Sequence, residues 1–176
     1  MIKNIIYKNK SYKKLRINIK PTAEFNDILI VLNEVHFEGY EDFEEQIIFA
    51  ILELLNNSMR AHREKSVDDN IRLSFRLMSP MLHIVVQDWG GGFDPSSLPY
   101  ELKENAEKID TNSEIFQRYR EKYNYLRFGI GLYVVKKTFS SFNLYFVDKN
   151  NRKVSWESGN TAGTCIELTL GTNNGN

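Results

Sequence analysis

Residues 87–95, QDWGGGFDP, place three consecutive glycines directly after an acidic residue. The preceding run MLHIVVQ predicts a strand, so Asp88 stands at a strand end. Because glycine lacks a Cβ, Gly90, Gly91 and Gly92 allow the backbone to turn sharply and to approach a ligand closely. A hairpin or bulge loop explains the same glycines. The stretch therefore predicts a sharp loop that begins with a carboxylate.

The segments around this loop predict the fold class. An apolar helix that starts near Asp42, in a D-x-x-E pattern with Glu45, precedes the hairpin that contains the strand. Helices and strands then alternate irregularly, and strands gather near the end of the chain. This order predicts an α/β two-layer sandwich in which a mixed, largely antiparallel sheet packs on helices. The strands are predicted at 14–20, 71–78, 81–87, 143–147, 153–158 and 164–170. The helices are predicted at 22–35, from about 42 to beyond 59, and at 131–142, with a further helical signal around EIFQRYREKY (114–123).

Composition limits the classes of function. The 23 basic and 23 acidic residues cancel, so no global field attracts nucleic acid or an anionic membrane. No apolar run is long enough to span a bilayer, and the start MIKNIIYKNK lacks the apolar centre of a signal peptide. We therefore expect a cytoplasmic protein. Cys165 lies in an alternating run, which predicts a buried strand residue rather than a nucleophile.

The predicted second helix has two different faces. At about 100° per residue, Glu53, Asn57 and Arg60 fall within about 60° of one another. The opposite side is apolar. The polar face offers a base, a neutral oxygen ligand and a cation, although a solvated helix face would carry the same residue types.

Two further features of the sequence indicate which chemical groups of a ligand it could recognise. A carboxylate such as Asp88 can accept a hydrogen bond from an exocyclic amine such as that of adenine. Gly129 and Gly131 open the last helix, whose N-terminus favours phosphate, with Arg127, Lys136 and Lys137 nearby. The glycine spacing does not fit a dinucleotide-binding loop, and the chain contains neither a Walker-type GKS or GKT nor a Cys/His metal cluster.

Taken in order, these segments resemble a known family. The match is to the N, G1, F and G2 boxes and the closing G-T strand of the GHKL (Bergerat-fold) ATP-binding domains. That family includes histidine kinases, anti-sigma factor serine kinases, and the gyrase and Hsp90 ATPases. The segments are ELLNNSMRAH (53–62), DWGGGFD (88–94), EIFQRYR (114–120), FGIGLYVVK (128–136) and ESGNTAGTCIEL (157–168).

The resemblance implies ATP and Mg²⁺ as cofactors and assigns roles to individual positions. Glu53 matches the general base, and Asn57 matches the Mg²⁺ ligand. Asp88 matches the carboxylate that reads adenine, and Thr164 the hydroxyl that assists it. The remaining nucleotide-binding positions implied are Arg60, Gly90, Gly92, Phe116 in the F box, Gly129, Gly131 and Leu132, whereas Gly91 occupies a variable position.

The resemblance also implies a domain organisation. Residues 1–176 form a single domain with an N-terminal strand and helix over 1–40 and an ATP-binding core over 41–170. The polar stretch at about 96–128 corresponds to the ATP lid, and 171–176 form a tail. Polar loops of that length are typical of lids or binding segments.

The branch of the family determines the expected activity. Arg60 stands where kinase branches often carry a basic residue. The three histidines lack a phosphoacceptor motif, so we expect phosphotransfer in trans. GIGLYVV resembles the anti-sigma serine kinases, whereas EIFQRYR resembles histidine kinases.

The expected function is that of an ATP-dependent protein kinase that modifies or sequesters a cytoplasmic regulatory protein, such as a sigma factor or its antagonist. The phosphoacceptor is a serine, threonine or histidine. A non-catalytic module gated by ATP and a stand-alone ATPase are the alternatives. Related stand-alone kinases are often dimers, so a homodimer is a further expectation.

Overall fold

A computed structural model describes residues 3–78, 80–124 and 131–171. The helices are α1 (Phe25–Asn33), α2 (Glu44–Lys65), α3 (Glu114–Lys122) and α4 (Gly131–Thr138). The strands are β1 (Ile5–Tyr7), β2 (Lys10–Tyr12), β3 (Lys14–Ile19), β4 (Val35–Phe37), β5 (Ile71–Met78), β6 (Met81–Gln87), β7 (Ser141–Val147), β8 (Lys153–Val154) and β9 (Gly163–Gly171).

The described strands form two sheets. Six strands make the larger sheet in the order β3-β5-β6-β9-β7-β8, and three make the smaller one in the order β2-β1-β4. All of these described strand pairs are antiparallel. Helices α2 and α4 pack against each other and against one face of the larger sheet. The predicted two-layer α/β sandwich is confirmed.

The alternation of residues in β5 and β6 explains why one face of the larger sheet is buried. Phe75 on β5 and Ile84 on β6 are paired and fully buried, together with Leu73 and Leu82. Burial of one such side chain stabilises the fold by roughly 1.5–3 kcal/mol. The intervening side chains lie on the opposite face of the sheet, because successive strand residues alternate between faces.

Helix α2 carries the predicted two-faced pattern, but it begins two residues later than predicted. A single 3-10 turn over Glu41–Phe43 precedes it, and Asp42 does not cap the helix. Instead, Glu44 accepts a hydrogen bond from the backbone N–H of Phe37 at 2.7 Å, and its other oxygen lies 3.1 Å from His36 Nδ1. Glu44 thereby ties the start of α2 to β4.

The smaller sheet is the main feature that the sequence did not predict. The expected single strand and helix over 1–40 are present as β3 and α1, but β1, β2 and β4 accompany them. Each of these extra strands has only three residues, which is too short for a recognisable period. Lys8 and Asn9, in the turn between β1 and β2, both have positive φ without being glycine.

The later segments follow the prediction with shorter bounds. Strand β8 ends at Val154, and Trp156–Ser158 form a 3-10 turn rather than strand. The segment 96–128 is described as far as residue 124 and contains α3. Strand β9 extends to Gly171, the first residue of the expected tail, and residues 172–176 lie outside the described part.

Candidate functional site

A cleft of about 340 Å³ lies between α2, α4 and the adjoining ends of β6 and β9. This volume falls within the range of about 300–1,000 Å³ that is typical of small-molecule sites. The structure therefore brings together most of the predicted site residues, although they are far apart in sequence. Those that line the cleft are Glu53, Asn57, Arg60, Asp88, Gly92, Gly131, Leu132 and Thr164.

Asp88 is held at the end of β6 by donors from two elements. Its side chain accepts hydrogen bonds from Ser58 Oγ on α2 and from the backbone N–H of Gly90, both at 2.9 Å. Burial raises the pKa of the Asp88 carboxyl above its ordinary value of 3.8, while these donors act in the opposite direction. Ser58 was not among the predicted residues, although a serine inside a helix is a weak signal of a specific contact.

His62 fixes the loop that follows Asp88. The ring is fully buried, and its Nε2 accepts a hydrogen bond from the backbone N–H of Trp89 at 2.9 Å. The other nitrogen, Nδ1, lies 3.3 Å from the Val67 carbonyl oxygen. These contacts fit a neutral ring that carries its proton on Nδ1. The sequence indicates only that His62 lacks a phosphoacceptor motif, so this role was missed.

The three consecutive glycines serve different purposes. A Cβ on Gly90 would lie 2.6 Å from the Cβ of Ala61, so Gly90 lets the loop pack on α2. Gly92 combines a φ of +70° with close contact to Thr161 and Phe146. At Gly91, the position interpreted as variable, a Cβ would make only an ordinary contact with Lys65 at 3.7 Å, but the φ of +79° disfavours most other residues. All three positions thus restrict substitution, Gly91 through its backbone conformation alone.

Gly163, the glycine of the closing G-T strand, makes a further close approach, although the sequence motif assigned it no role. A Cβ at this position would lie 1.9 Å from the carbonyl oxygen of Asp88. The bare backbone of β9 lets the Asp88 N–H donate to the Thr164 carbonyl oxygen at 2.9 Å, and that of Gly91 to the Ala162 carbonyl oxygen at 3.0 Å. Strand β9 therefore positions both Asp88 and the glycine loop.

At the other end of the cleft, α2 and the start of α4 meet. A Cβ on Gly131 would lie 2.6 Å from Glu53 Oε2, so the Glu53 carboxylate reaches the start of α4, and a larger residue at position 131 would push this flexible carboxylate aside. One turn along α2, Arg60 Nη2 donates a hydrogen bond to Asn57 Oδ1 at 2.8 Å. Coordination of a metal by that oxygen would require Arg60 to turn away.

Two stacked aromatic residues form one side of the cleft, with Tyr100 at its surface and Phe116 behind it. Tyr100 lines the cleft, and its buried hydroxyl has no hydrogen-bond partner within the described ranges. Phe116, predicted to contact the nucleotide, instead lies buried behind Tyr100, with ring centroids 5.8 Å apart in a stacked arrangement. Phe116 thus acts on the cleft through Tyr100, because its ring is covered by a small apolar cluster.

Lys136 does not face the phosphate end of the cleft. Its Nζ donates to the carbonyl oxygens of Leu102 at 2.8 Å and Glu104 at 2.6 Å, and it lies 5.6 Å from the centre of the Tyr100 ring. Burial lowers the pKa of the Lys136 ammonium. This residue ties α4 to the segment that the sequence predicts as a lid.

The remaining sequence predictions concern two residues beyond the described part of the chain, a metal-binding cluster and a membrane-spanning helix. Gly129 and Arg127 lie outside the described residues. Within the described ranges, no group of three His, Cys, Asp or Glu side chains could hold a metal ion. Among the described helices, none has the length and apolarity that crossing a membrane requires.

The fold and the cleft define a class of protein, a two-layer sandwich with a cleft of small-molecule size between its helices and one end of its sheet. The family model described as Histidine kinase-, DNA gyrase B-, and HSP90-like ATPase matches residues 43–174. The chain belongs to this family, so it is a GHKL-type ATP-binding domain with the Bergerat fold. A search of curated proteins found no match to the chain.

Proposed function

We propose that this domain binds ATP with Mg²⁺ and transfers the γ-phosphoryl group to a side chain of a cytoplasmic regulatory protein. The observation that carries the proposal is the placement of Glu53 and Asn57 on one face of α2, against the start of α4. Binding alone does not require a carboxylate at this position, whereas activation of an attacking hydroxyl does.

The adenine end of the cleft is defined by Asp88. Ser58 and Gly90 orient its two oxygens, and the Asp88 carboxylate accepts a hydrogen bond from the adenine amine. Thr164, buried on the neighbouring strand, assists this contact. The unpartnered Tyr100 hydroxyl supplies one more polar group, which fits a ligand with several polar atoms.

At the phosphate end, Asn57 Oδ1 is the protein ligand for Mg²⁺, which prefers hard oxygen ligands and keeps several waters. An ion held there would neutralise phosphate charge. Arg60, which lines the same cleft, would add a second positive charge once its hydrogen bond to Asn57 is broken. The N-terminal turn of α4, which begins at Gly131 and Leu132, favours the same anions, because the first N–H groups of a helix have no partner within the helix.

Glu53 acts on the nucleophile. Its carboxylate takes the proton from the attacking hydroxyl as that oxygen bonds to the γ-phosphorus, and the bond to the β,γ-bridging oxygen breaks. The absence of a side chain at Gly131 leaves space for this carboxylate beside the start of α4. Most of the rate enhancement then comes from positioning and charge neutralisation.

The phosphoacceptor belongs to a second protein. His62 is buried against Trp89, and His36 contacts Glu44, so neither is presented to the cleft. The partner proposed from the family resemblance is a sigma factor or its antagonist, modified on serine, threonine or histidine. A homodimer is part of this proposal.

Lys136 favours one alternative, a non-catalytic module gated by ATP. Because Lys136 links α4 to residues 102 and 104, ATP at the start of α4 could reposition the neighbouring lid surface without phosphoryl transfer. A stand-alone ATPase would instead release phosphate steadily with no protein acceptor.

The test uses γ-labelled ATP and a cell extract, with the Glu53→Gln variant beside Glu45→Gln. Glu45 is an exposed acid on the same helix outside the cleft. We expect wild type and Glu45→Gln to label the same extract protein, while Glu53→Gln binds ATP but labels none. ATP binding without labelling by any form would support the gated module, and acceptor-independent phosphate release would support the ATPase.

A further inference from the structure

The face of the larger sheet opposite the helices carries a cluster of cations on its first two strands. This basic face consists of Lys14 and Arg16 on β3 and Arg72 and Arg76 on β5. Their positions alternate with those of the buried residues on the same strands, so all four side chains share the face away from α2. Arg72 is half-buried, and the other three are exposed.

Ion pairs among the described residues do not neutralise this cluster. Lys14 stands directly opposite Arg76, and like charges in that arrangement destabilise a sheet. In the described part of the chain, no carboxylate forms an ion pair with Lys14, Arg16 or Arg76. Arg72 donates to the neutral side chain of Gln87. The whole chain is neutral, so this excess is local.

Protection of a sheet edge does not account for the whole cluster. Cations on an exposed edge strand discourage pairing with other chains, and this explains Lys14 and Arg16 on β3. Strand β5, however, pairs with β3 on one side and with β6 on the other, so it has no edge to protect. Arg72 and Arg76 need another reason.

The surroundings of the cluster indicate the chemistry of a ligand. Met78 is 47% exposed at the end of β5, and Met81 and Val85 on β6 are partly exposed on the same face. Methionine side chains adapt to varied apolar partners. Arg72 and Arg76 are about 13 Å apart along the strand, so the basic patch is short. Because the whole protein is neutral, it has no extended positive field that would attract nucleic acid or a membrane.

We propose that the basic face is a docking surface for an acidic, partly apolar segment of another protein. Carboxylates of the segment pair with Arg16, Arg76 and Lys14, and its apolar side chains cover Met78 and Met81. The cleft lies on the other side of the sheet, where α2 and α4 pack. Docking here therefore does not depend on the kinase proposal and leaves the cleft open.

Fluorescence anisotropy with a short labelled peptide rich in glutamate and leucine tests this proposal. We expect saturable binding that weakens as salt rises, and about tenfold or greater loss of affinity in Arg76→Glu. Lys149→Glu, an exposed charge reversal in the turn after β7, is the matched control and should bind like wild type. In the unmodified protein, peptide addition should shift the amide resonances of β3 and β5.

Three results would overturn the proposal. The first is no saturable binding, or equal binding by Arg76→Glu and wild type. The second is tighter binding to single-stranded DNA or phosphatidylserine vesicles than to the peptide, with the same sensitivity to Arg76→Glu. The third is dimerisation of the protein alone that Arg76→Glu abolishes in size-exclusion chromatography, which would assign the face to a second copy of this chain.

Discussion

Ser58 on α2 donates a hydrogen bond to Asp88 at the end of β6, with 2.9 Å between the two oxygen atoms, and both side chains are buried. The bond joins the helical layer to the strand end at the point where the adenine base would be read. It also stabilises the ionised form of Asp88 and so opposes the effect of burial on its pKa.

Replacement of Ser58 by alanine should therefore weaken ATP binding. It should also raise the pH below which ATP affinity is lost, because the pKa of Asp88 would rise further. Loss of one hydrogen bond corresponds to about 0.5–1.5 kcal/mol, or roughly twofold to twelvefold in affinity. Isothermal titration calorimetry over a pH series measures both effects. Ser74→Ala, on the opposite face of the sheet, is the control. An unchanged pH profile in Ser58→Ala would show that the bond does not act on Asp88.

The raised pKa of Asp88 predicts how stability depends on pH. Between 3.8 and its higher folded pKa, the native state binds more protons at Asp88 than the unfolded state, so this group destabilises the fold progressively as pH rises. Asp88→Asn lacks this dependence. Urea unfolding without nucleotide should thus show the stability of Asp88→Asn increasing relative to wild type from about pH 4 toward neutrality. A constant difference would contradict the assignment.

His62 should stabilise both the fold and the loop after Asp88. His62→Phe leaves the Trp89 N–H without its acceptor, at a cost of about 1–3 kcal/mol in the free energy of unfolding, and should also weaken ATP binding. His62→Gln, whose side-chain oxygen can accept the same bond, should restore most of the loss. His83→Gln on β6 serves as the matched control. Equal effects of Phe and Gln would show that packing, not the hydrogen bond, matters.

Lys136 should control the segment around residues 102–104. Lys136→Met keeps the apolar stem but removes both hydrogen bonds to the Leu102 and Glu104 carbonyls. Hydrogen exchange of amides in this segment should become about tenfold faster or more, since each lost bond to a charged donor is worth about 1.5–3 kcal/mol. Lys137→Met, at the exposed neighbouring position, should exchange like wild type. Equal rates of amide exchange in the two variants would show that Lys136 does not hold the segment around residues 102–104.

The sequence predicts long, periodic elements well and contacts between elements poorly. Helix α2 and the hairpin of β5 and β6 are evident because their apolar residues repeat over several turns or pleats. The three-residue strands of the smaller sheet carry no such period. Their pairing depends on contacts between β1 and β4, which are far apart in the chain.

The same contrast between local sequence patterns and contacts between distant elements holds for the site. Ordered motifs identify Glu53, Asn57 and Asp88 because each lies in a recognisable local pattern, and these residues line one cleft. Ser58 and Gly163 were missed, since each acts on Asp88 across space from another element. Phe116 was placed in the cleft by its motif, but only the packed structure shows Tyr100 in front of it.

The most direct test of the central claim compares ATP with inosine triphosphate by isothermal titration calorimetry in the presence of Mg²⁺. The two nucleotides share their phosphates and differ at position 6 of the base, where inosine has a carbonyl oxygen instead of an amine, and at the adjacent N1, which carries a proton only in inosine. We predict that wild type binds ATP about tenfold more tightly or better, because a carbonyl oxygen cannot donate to Asp88, and that Asp88→Asn loses most of this preference. Equal binding of the two nucleotides by wild type, or an undiminished preference in Asp88→Asn, would contradict the assignment of Asp88 as the adenine-reading residue.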